Sequence, residues 1–290
     1  MVFDYHFGVN KPYPEVEAAF VPNLQDFYDH PDDYAIAPFQ IFGNLYYVGD
    51  QKVTSHLIDT GDGLILFDTG YGHTTHMMLD SIRGAGFDPK DIKIIIHSHG
   101  HFDHFGSGEA LRKITGAKVY MSGVDTRLLQ QRPDRALIEW GPCPDDPVCW
   151  PDVLIEDGDH VRLGNTDILC VLSPGHTAGT MTYFFDVSDG EKTLRAGYFG
   201  GTGMLGIYQD FCKKFDLPLD LCQQMKKTIE KLRGYSVDIM LGNHPAQNRT
   251  LEKRAVMLET GENPFLDSSA WQQFLDALEE RRQDFENKGY

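Results

Sequence analysis

Basic residues are scarce in this chain. Among its 290 residues, 26 are Lys or Arg and 43 are Asp or Glu, which gives a formal net charge of −17 at pH 7. Nucleic acids and anionic membrane surfaces repel a protein of this charge, so we expect neither as a partner. The remaining composition, 41% hydrophobic and 24% charged, is typical of a globular protein, either a monomer or a dimer. The expected partner is a small-molecule substrate.

Long apolar runs are also missing. No stretch approaches the roughly 18 apolar residues that a membrane-spanning helix needs. The five cysteines are scattered without a C-x-x-C pair, which argues against a disulfide framework or a zinc ribbon. The first residues, Met1 to His6, do not show the basic segment and apolar stretch of a signal peptide. These features predict a cytoplasmic protein.

The pattern of the chain predicts a mixed α/β fold. Residues 1–35 are rich in aromatic residues, Pro and Asp without a regular period, and we expect an irregular N-terminal arm there. Residues 36–290 begin with an antiparallel meander and then alternate strand-like and helical stretches, which indicates a single domain. Residues 132–159 contain five prolines and two tryptophans, so long regular elements are excluded. This segment is either an ordered pocket wall or a purely structural hairpin.

A cluster of four histidines and one aspartate directly follows residues 94–96, an apolar run that predicts a buried strand. His99 and His101 are two residues apart, so on extended backbone their side chains point to the same side. Asp103 and His104 follow where the chain turns toward a helix, which can direct both side chains to the same place. Neutral imidazoles and a carboxylate are ligands typical of zinc, and also of iron or manganese.

Two further histidines follow predicted strands. His176 and His244 each have a glycine one or two positions before them, which permits an unusual backbone angle at a strand end. Either histidine alone would more often be an ordinary surface or core residue. Together with the cluster they supply six candidate ligands, which are enough for two metal ions.

These residues resemble the metallo-β-lactamase fold family. The resemblance is carried by the H-x-H-x-D-H motif of residues 99–104, the Pro-Gly-His-Thr segment 174–177 and the Asp-Thr-Gly turn 68–70. Further segments resemble the third subclass of the class B β-lactamases, namely residues 38–49, 99–106, 242–245 and 263–267. The resemblance extends from about residue 38 to the C-terminus.

The resemblance implies an αββα sandwich with two Zn²⁺ ions at one edge, iron or manganese being the alternative metals. The implied ligands are His99, His101 and His176 for the first ion, and Asp103, His104 and His244 for the second. It also implies a hydrolase in which a metal-bound hydroxide attacks the carbonyl of a cyclic amide, lactone or ester, with Asp103 as the catalytic residue that orients the nucleophile. Asp68 is a candidate acceptor for a ligand imidazole, or it only caps its own turn.

One position departs from many members of this family. They use an aspartate after a later strand to bridge the metals, whereas the matching residues 196–203 contain no carboxylate. This absence favours the third β-lactamase subclass over the thioesterases and lactone hydrolases of the family. It also counts against the main alternative, an iron-dependent oxidoreductase of the persulfide dioxygenase type, which normally keeps the aspartate.

Overall fold

Two β-sheets packed face to face form the centre of the protein. The computed structural model describes Tyr5 and residues 10–290, and residues 1–4 and 6–9 lie outside the described residues. Within that part, one sheet has seven strands in sequential order: β1 Phe39–Phe42, β2 Leu45–Tyr47, β3 His56–Asp59, β4 Leu64–Phe67, β5 Ile92–Ile96, β6 Lys118–Ser122 and β7 Val153–Ile155. The other has five, in the order β12, β11, β10, β9 and β8: β8 His160–Leu163, β9 Thr166–Leu172, β10 Met181–Ser188, β11 Thr193–Phe199 and β12 Ile239–Gly242.

The pairing of the strands confirms the predicted meander. Strands β1 to β4 are antiparallel neighbours, and β4 to β7 then run parallel to one another. In the second sheet β8 to β11 are antiparallel, and β12 joins β11 in parallel. Parallel neighbours need crossover connections, and helices supply most of these. With helices flanking both sheets, the structure confirms the αββα sandwich.

Strand β5 shows how the sequence fills two apolar layers. Ile94 and Ile96 point between the two sheets, whereas Ile95 points into the cluster formed with the helices. This alternation follows from the period of two along a strand, and it explains why the run 94–96 is apolar on both faces. The strand is thereby fixed, and the histidine-rich segment begins at its carboxyl end.

The helices within the described residues cover the outer faces of the sheets. They are α1 Tyr13–Asp29, α2 Thr75–Gly84, α3 Phe102–Phe105, α4 Gly108–Thr115, α5 Gly123–Gln131, α6 Gln209–Phe215, α7 Leu221–Leu232, α8 Pro245–Asn248, α9 Thr250–Thr260 and α10 Ala270–Asn287. The last of them buries Trp271, Phe274 and Leu278 at helical spacing. Among the described residues, no helix combines the length and the apolar character that crossing a membrane requires.

The predicted irregular arm over residues 1–35 is wrong, because residues Tyr13–Asp29 form helix α1. Pro14 lies in the first turn, where a missing backbone N–H costs nothing. Pro22 lies inside the helix and removes one of its hydrogen bonds. These prolines hid the helical spacing of the apolar side chains, which lie four residues apart. Part of the predicted arm, residues 1–4 and 6–9, lies outside the described residues, and the boundary of the single domain at residue 36 stays a prediction.

The segment 132–159 is ordered, with short elements. Two 3-10 turns, Pro133–Ala136 and Ile138–Trp140, are followed by strand β7 at the edge of the first sheet. A three-residue edge strand has too short a pattern to stand out between prolines. The sequence analysis also missed strand β8, of four residues, and helix α6, of seven residues.

Candidate metal centre

The six candidate ligands lie at one edge of the sandwich, where strands of both sheets end. The chain leaves β5 in extended form, so that His99 and His101 share one side, and α3 then turns Asp103 and His104 toward them. His176 follows β9 and His244 follows β12. The two sheets thus bring together side chains that are up to 145 positions apart.

The first triad consists of His99, His101 and His176. The Nε2 atom of His99 lies 3.0 Å from Nδ1 of His101 and 3.1 Å from Nε2 of His176, and the last two atoms are 3.1 Å apart. Zinc bound tetrahedrally at the usual Zn–N distance separates its ligand nitrogens by about 3.3–3.4 Å. The three nitrogens therefore converge almost as the ligands of one zinc ion do.

The second triad consists of Asp103, His104 and His244. The Nε2 atoms of the two histidines are 3.2 Å apart, and they lie 3.4 Å and 3.6 Å from Oδ2 of Asp103. The triads adjoin each other, since ligand atoms of His99, Asp103 and His104 also lie within 4.8 Å of one another. The structure therefore brings all six predicted residues together, in two groups of three.

Hydrogen bonds on the far side of three of the rings fix which nitrogen is free. The Nδ1 atoms of His99, His176 and His244 lie 2.9, 3.0 and 2.8 Å from the carbonyl oxygens of Gly200, Gly203 and Lys52. A carbonyl oxygen only accepts, so each Nδ1 carries a proton and donates it. Each Nε2 consequently keeps a lone pair directed at the triad, as metal ligation requires.

Asp68 plays the corresponding part for His104. Its Oδ2 atom accepts hydrogen bonds from Nδ1 of His104 at 2.8 Å, the Ser98 hydroxyl at 2.7 Å and the Tyr198 hydroxyl at 2.6 Å, and its Oδ1 accepts from the Ser98 N–H. The residue is fully buried and has a φ of +51°, a left-handed value that aspartate and asparagine adopt more readily than other residues with a side chain. Asp68 is therefore the acceptor for a ligand imidazole, one of the two roles predicted for it.

Burial and charge set the protonation of the triads. Burial lowers the pKa of His99 and His101 well below the usual imidazole value and that of His176 to about 4, so the first triad is neutral. Burial also opposes the charge on His104, but the carboxylates of Asp103 and Asp68 raise its pKa to about 10. The second triad thus attracts positive charge, whereas the first offers only lone pairs.

Known proteins match this chain both in sequence and in fold. The sequence profile of the metallo-beta-lactamase superfamily matches residues 48–189. Two solved metallo-β-lactamases have the same fold over 88% of this chain. The subclass B3 enzyme BJP-1 of Bradyrhizobium japonicum is 28% identical with a TM-score of 0.75, and the match covers 94% of its chain. FEZ-1 of Legionella gormanii is 27% identical with a TM-score of 0.79, and the match covers 97% of its chain. Residues 48–189 belong to the metallo-beta-lactamase superfamily.

A curated relative in this superfamily carries a different functional name. The probable polyketide biosynthesis zinc-dependent hydrolase PksB of Bacillus subtilis is 32% identical over 141 residues, which are 48% of this chain and 52% of that protein. The matches to two curated relatives cover 63% and 52% of the lengths of those proteins. The superfamily resemblance inferred from the sequence is confirmed.

Asp125 is a buried carboxylate that the sequence analysis missed. It lies in α5 and accepts hydrogen bonds from the Gly100 N–H at 2.9 Å, the Gly179 N–H at 2.8 Å and the Thr177 hydroxyl at 2.8 Å. These partners flank the ligands of the first triad, so Asp125 joins the two segments that carry them. A lone aspartate in a helical stretch gives no signal for this role, because its partners are distant in sequence.

Asn243 was also missed, although it precedes a predicted ligand. Its Nδ2 donates to the Gly200 carbonyl at 2.6 Å and lies 3.3 Å from Nε2 of His104. Gln247 fixes this orientation, because its Nε2 donates to Oδ1 of Asn243 at 2.6 Å. The amide therefore holds the carbonyl that orients His99.

Two glycines of the segment 196–203 lie against the ring of His176. A Cβ atom at Gly201 would lie 2.5 Å from Cδ2 of His176, and one at Gly203 would lie 2.8 Å from its Cε1. Real Cβ atoms do not approach other atoms so closely. The absence of a carboxylate in residues 196–203 thus coincides with close packing of this segment against the ring of His176.

A pocket of about 450 Å³ adjoins the triads. Its floor, as we call it, consists of His101, Asp103, His176 and His244. Facing residues come from α1, from Tyr71 and Phe102, and from the segment 202–205. From residues 132–159 the pocket takes Leu137. The ring of Trp140 packs against that of Phe20 in α1, and Trp150 is 37% exposed.

The other histidines near the motif have packing or surface positions. His97 is fully buried on the side away from the triads, and its Nδ1 lies 3.1 Å from the carbonyl oxygen of His104. His56 is buried beside the rings of Tyr47 and Tyr198. His76 is exposed and pairs with Asp32.

Proposed function

We propose that this chain is a zinc-dependent hydrolase that holds two Zn²⁺ ions and cleaves the C–N or C–O bond at the carbonyl carbon of a cyclic amide, a lactone or an ester. The observation that carries the proposal is the pair of adjoining triads, whose ligand atoms converge at 3.0–3.1 Å and 3.2–3.6 Å. The donor set, five imidazoles and one carboxylate, is one that zinc prefers, and iron or manganese are the alternative metals. Further support comes from PksB, a relative named as a zinc-dependent hydrolase.

Zinc, when bound, supplies Lewis acidity, which makes a water molecule nucleophilic near neutral pH and polarises a carbonyl group. The protein contributes the positions of the ligands and the handling of the proton. The pKa of Asp103 lies well below the usual carboxyl value, because His104 and His244 stabilise its charge more than burial opposes it. An ionised carboxylate on the pocket floor is able to orient the attacking water and accept its proton.

Tyr71 completes the polar part of the site. It lines the pocket, and burial together with the charge of Asp103 raises the pKa of its phenol well above 10. The hydroxyl therefore keeps its proton throughout the physiological pH range. A protonated hydroxyl is able to donate a hydrogen bond to a polar group in the pocket.

The test combines metal analysis with turnover of nitrocefin, a chromogenic β-lactam. We expect about two zinc ions per chain and turnover that a chelator abolishes. The His99→Ala variant should lose metal and activity, while His76→Ala, an exposed histidine outside both triads, should retain both. Nitrocefin represents only the cyclic amides among the three proposed substrate types. Lactones and activated esters are therefore assayed on the same zinc-loaded sample. One iron per chain, or unchanged activity in His99→Ala, would contradict the proposal.

A further inference from the structure

Helix α1 presents an apolar stripe to the pocket. Val16, Phe20 and Leu24 are spaced four residues apart, which places them on one face of the helix, and all three line the pocket. We call these three residues the α1 wall. They are only half-buried, so apolar surface on this face remains in contact with water inside the pocket. A ligand that covered this surface would gain the free energy of its burial.

The α1 wall is fixed to the rest of the protein by contacts on its other sides. The ring of Phe20 lies 5.0 Å from that of Trp140, and the Tyr28 hydroxyl donates to the Trp140 carbonyl at 3.0 Å. Near the start of the helix, the Tyr13 ring packs against Phe211. The wall is therefore a constant part of the pocket.

Other apolar side chains extend the same surface around the pocket. Phe102, Leu137, Met204 and Leu205 line it together with the α1 wall. Of the two cationic side chains in the lining, Lys52 directs its ammonium at the Tyr34 ring, 4.5 Å from the centroid, and Arg281 donates to Asn10. A volume of about 450 Å³ is in the usual range for a small-molecule site. The side of the pocket formed by the α1 wall and these four residues is thus suited to hydrocarbon.

We propose that the substrate carries an extended apolar acyl or alkyl group, which lies against the α1 wall while the scissile carbonyl faces the pocket floor. This inference rests on the proposed function, because the carbonyl is placed at the triads. It narrows the substrate class to hydrophobic esters, lactones or amides. The α1 wall then determines specificity, and the triads do not.

Binding of straight-chain carboxylates from acetate to octanoate tests the inference on the zinc-loaded protein. The head group is the same at every length, so differences in Kd report only the hydrocarbon chain. We expect Kd to fall about fourfold for each added methylene that is fully buried. The Leu24→Ser and Val16→Ser variants should flatten this dependence, whereas Val21→Ser, on the exposed side of the same helix, should leave it unchanged.

Circular dichroism and melting temperature show whether each variant keeps α1 folded. If one of the two wall variants misfolds, the other still tests the inference. A Kd that does not change with chain length, or a dependence that both folded wall variants preserve, would overturn the inference. The two proposals fail separately. Chain-length dependence without turnover of any ester, lactone or amide would remove the hydrolase and keep the apolar site, whereas turnover with a flat dependence would do the reverse.

Discussion

The floor of the pocket and the α1 wall are held in place by different interactions. On the floor, His176 and His244 each donate a ring N–H to a backbone carbonyl, and the ligands around them are buried. The α1 wall is held by side-chain contacts between rings, with Phe20 against Trp140 as the central pair. Directional hydrogen bonds define a geometry within a few tenths of an ångström, whereas apolar contacts tolerate substitution and repacking.

This difference separates two functions within one pocket. Positions that must converge on a metal ion are fixed by buried polar groups, which cost free energy if any one of them loses its partner. Positions that face the rest of the substrate need only the right volume and polarity. Changes to the floor should therefore affect every substrate, and changes to the α1 wall should affect some substrates more than others.

The largest effect is expected from Asp103→Asn, because the amide can neither accept the proton of the attacking water nor provide a negative charge to the second triad. We expect kcat/KM to fall about 10³-fold for every substrate that the enzyme cleaves. Steady-state kinetics with two unrelated substrates checks this, with the surface variant Asp62→Asn as the control. A loss of less than tenfold would show that Asp103 has no part in the chemistry.

Asp68→Asn tests the support of the second triad. Asparagine tolerates the φ of +51° at this position, so the backbone is unaffected and only the carboxylate changes. The NH₂ group of the amide cannot accept the hydrogen bonds that one carboxylate oxygen of Asp68 accepts, including the bond from Nδ1 of His104. We expect the Kd of the zinc ion at the second triad to rise about 10- to 100-fold while the ion at the first triad stays bound.

Competition with a chelator, followed by zinc analysis, measures this change. The matched variant is Asp125→Asn, since Asp125 is also buried but supports the segments of the first triad. Asp125→Asn should weaken the binding of the zinc ion at the first triad. If the two variants weakened the same ion, the division into a first and a second triad would be incorrect.

The sequence predicts contacts between residues that are close in the chain better than contacts between residues that are far apart in it. The H-x-H-x-D-H motif puts four ligands within six positions after one strand, so local backbone geometry alone brings His99, His101, Asp103 and His104 close together. The contact of the Asn243 amide with the Gly200 carbonyl depends on how β11 and β12 align. No periodicity or spacing reports such an alignment.

The α1 wall escaped the sequence analysis for another reason. Its side chains have a clear period of four, but Pro14 and Pro22 lie in the same stretch and argue against a helix. Tertiary contacts compensate for the hydrogen bond that Pro22 removes, since Phe27 near the end of α1 is fully buried. Local rules therefore identified the chemistry of the pocket better than its walls.

A smaller effect on the floor is expected from Gly201→Ala. The added Cβ would meet the ring of His176 at 2.5 Å, so the ring must move and the first triad should bind zinc about tenfold more weakly. Gly234→Ala is the control, because its nearest neighbour would lie at an ordinary 3.4 Å. Zinc titration of both variants measures the difference, and equal affinities would mean that the glycine segment does not restrain His176.

The smallest effect is expected where residues 132–159 meet the substrate. Leu137 has a φ of +59°, which asparagine also adopts, so Leu137→Asn changes the polarity of the pocket without straining the backbone. We expect the ratio of kcat/KM for an octanoate ester to that for an acetate ester to fall about threefold to tenfold, since part of the chain loses an apolar contact. Leu154→Asn, in the same segment but 46% exposed, should leave the ratio unchanged. Because a ratio does not depend on the fraction of active enzyme, an unchanged value for Leu137→Asn would make this segment a structural hairpin and leave selectivity to the α1 wall.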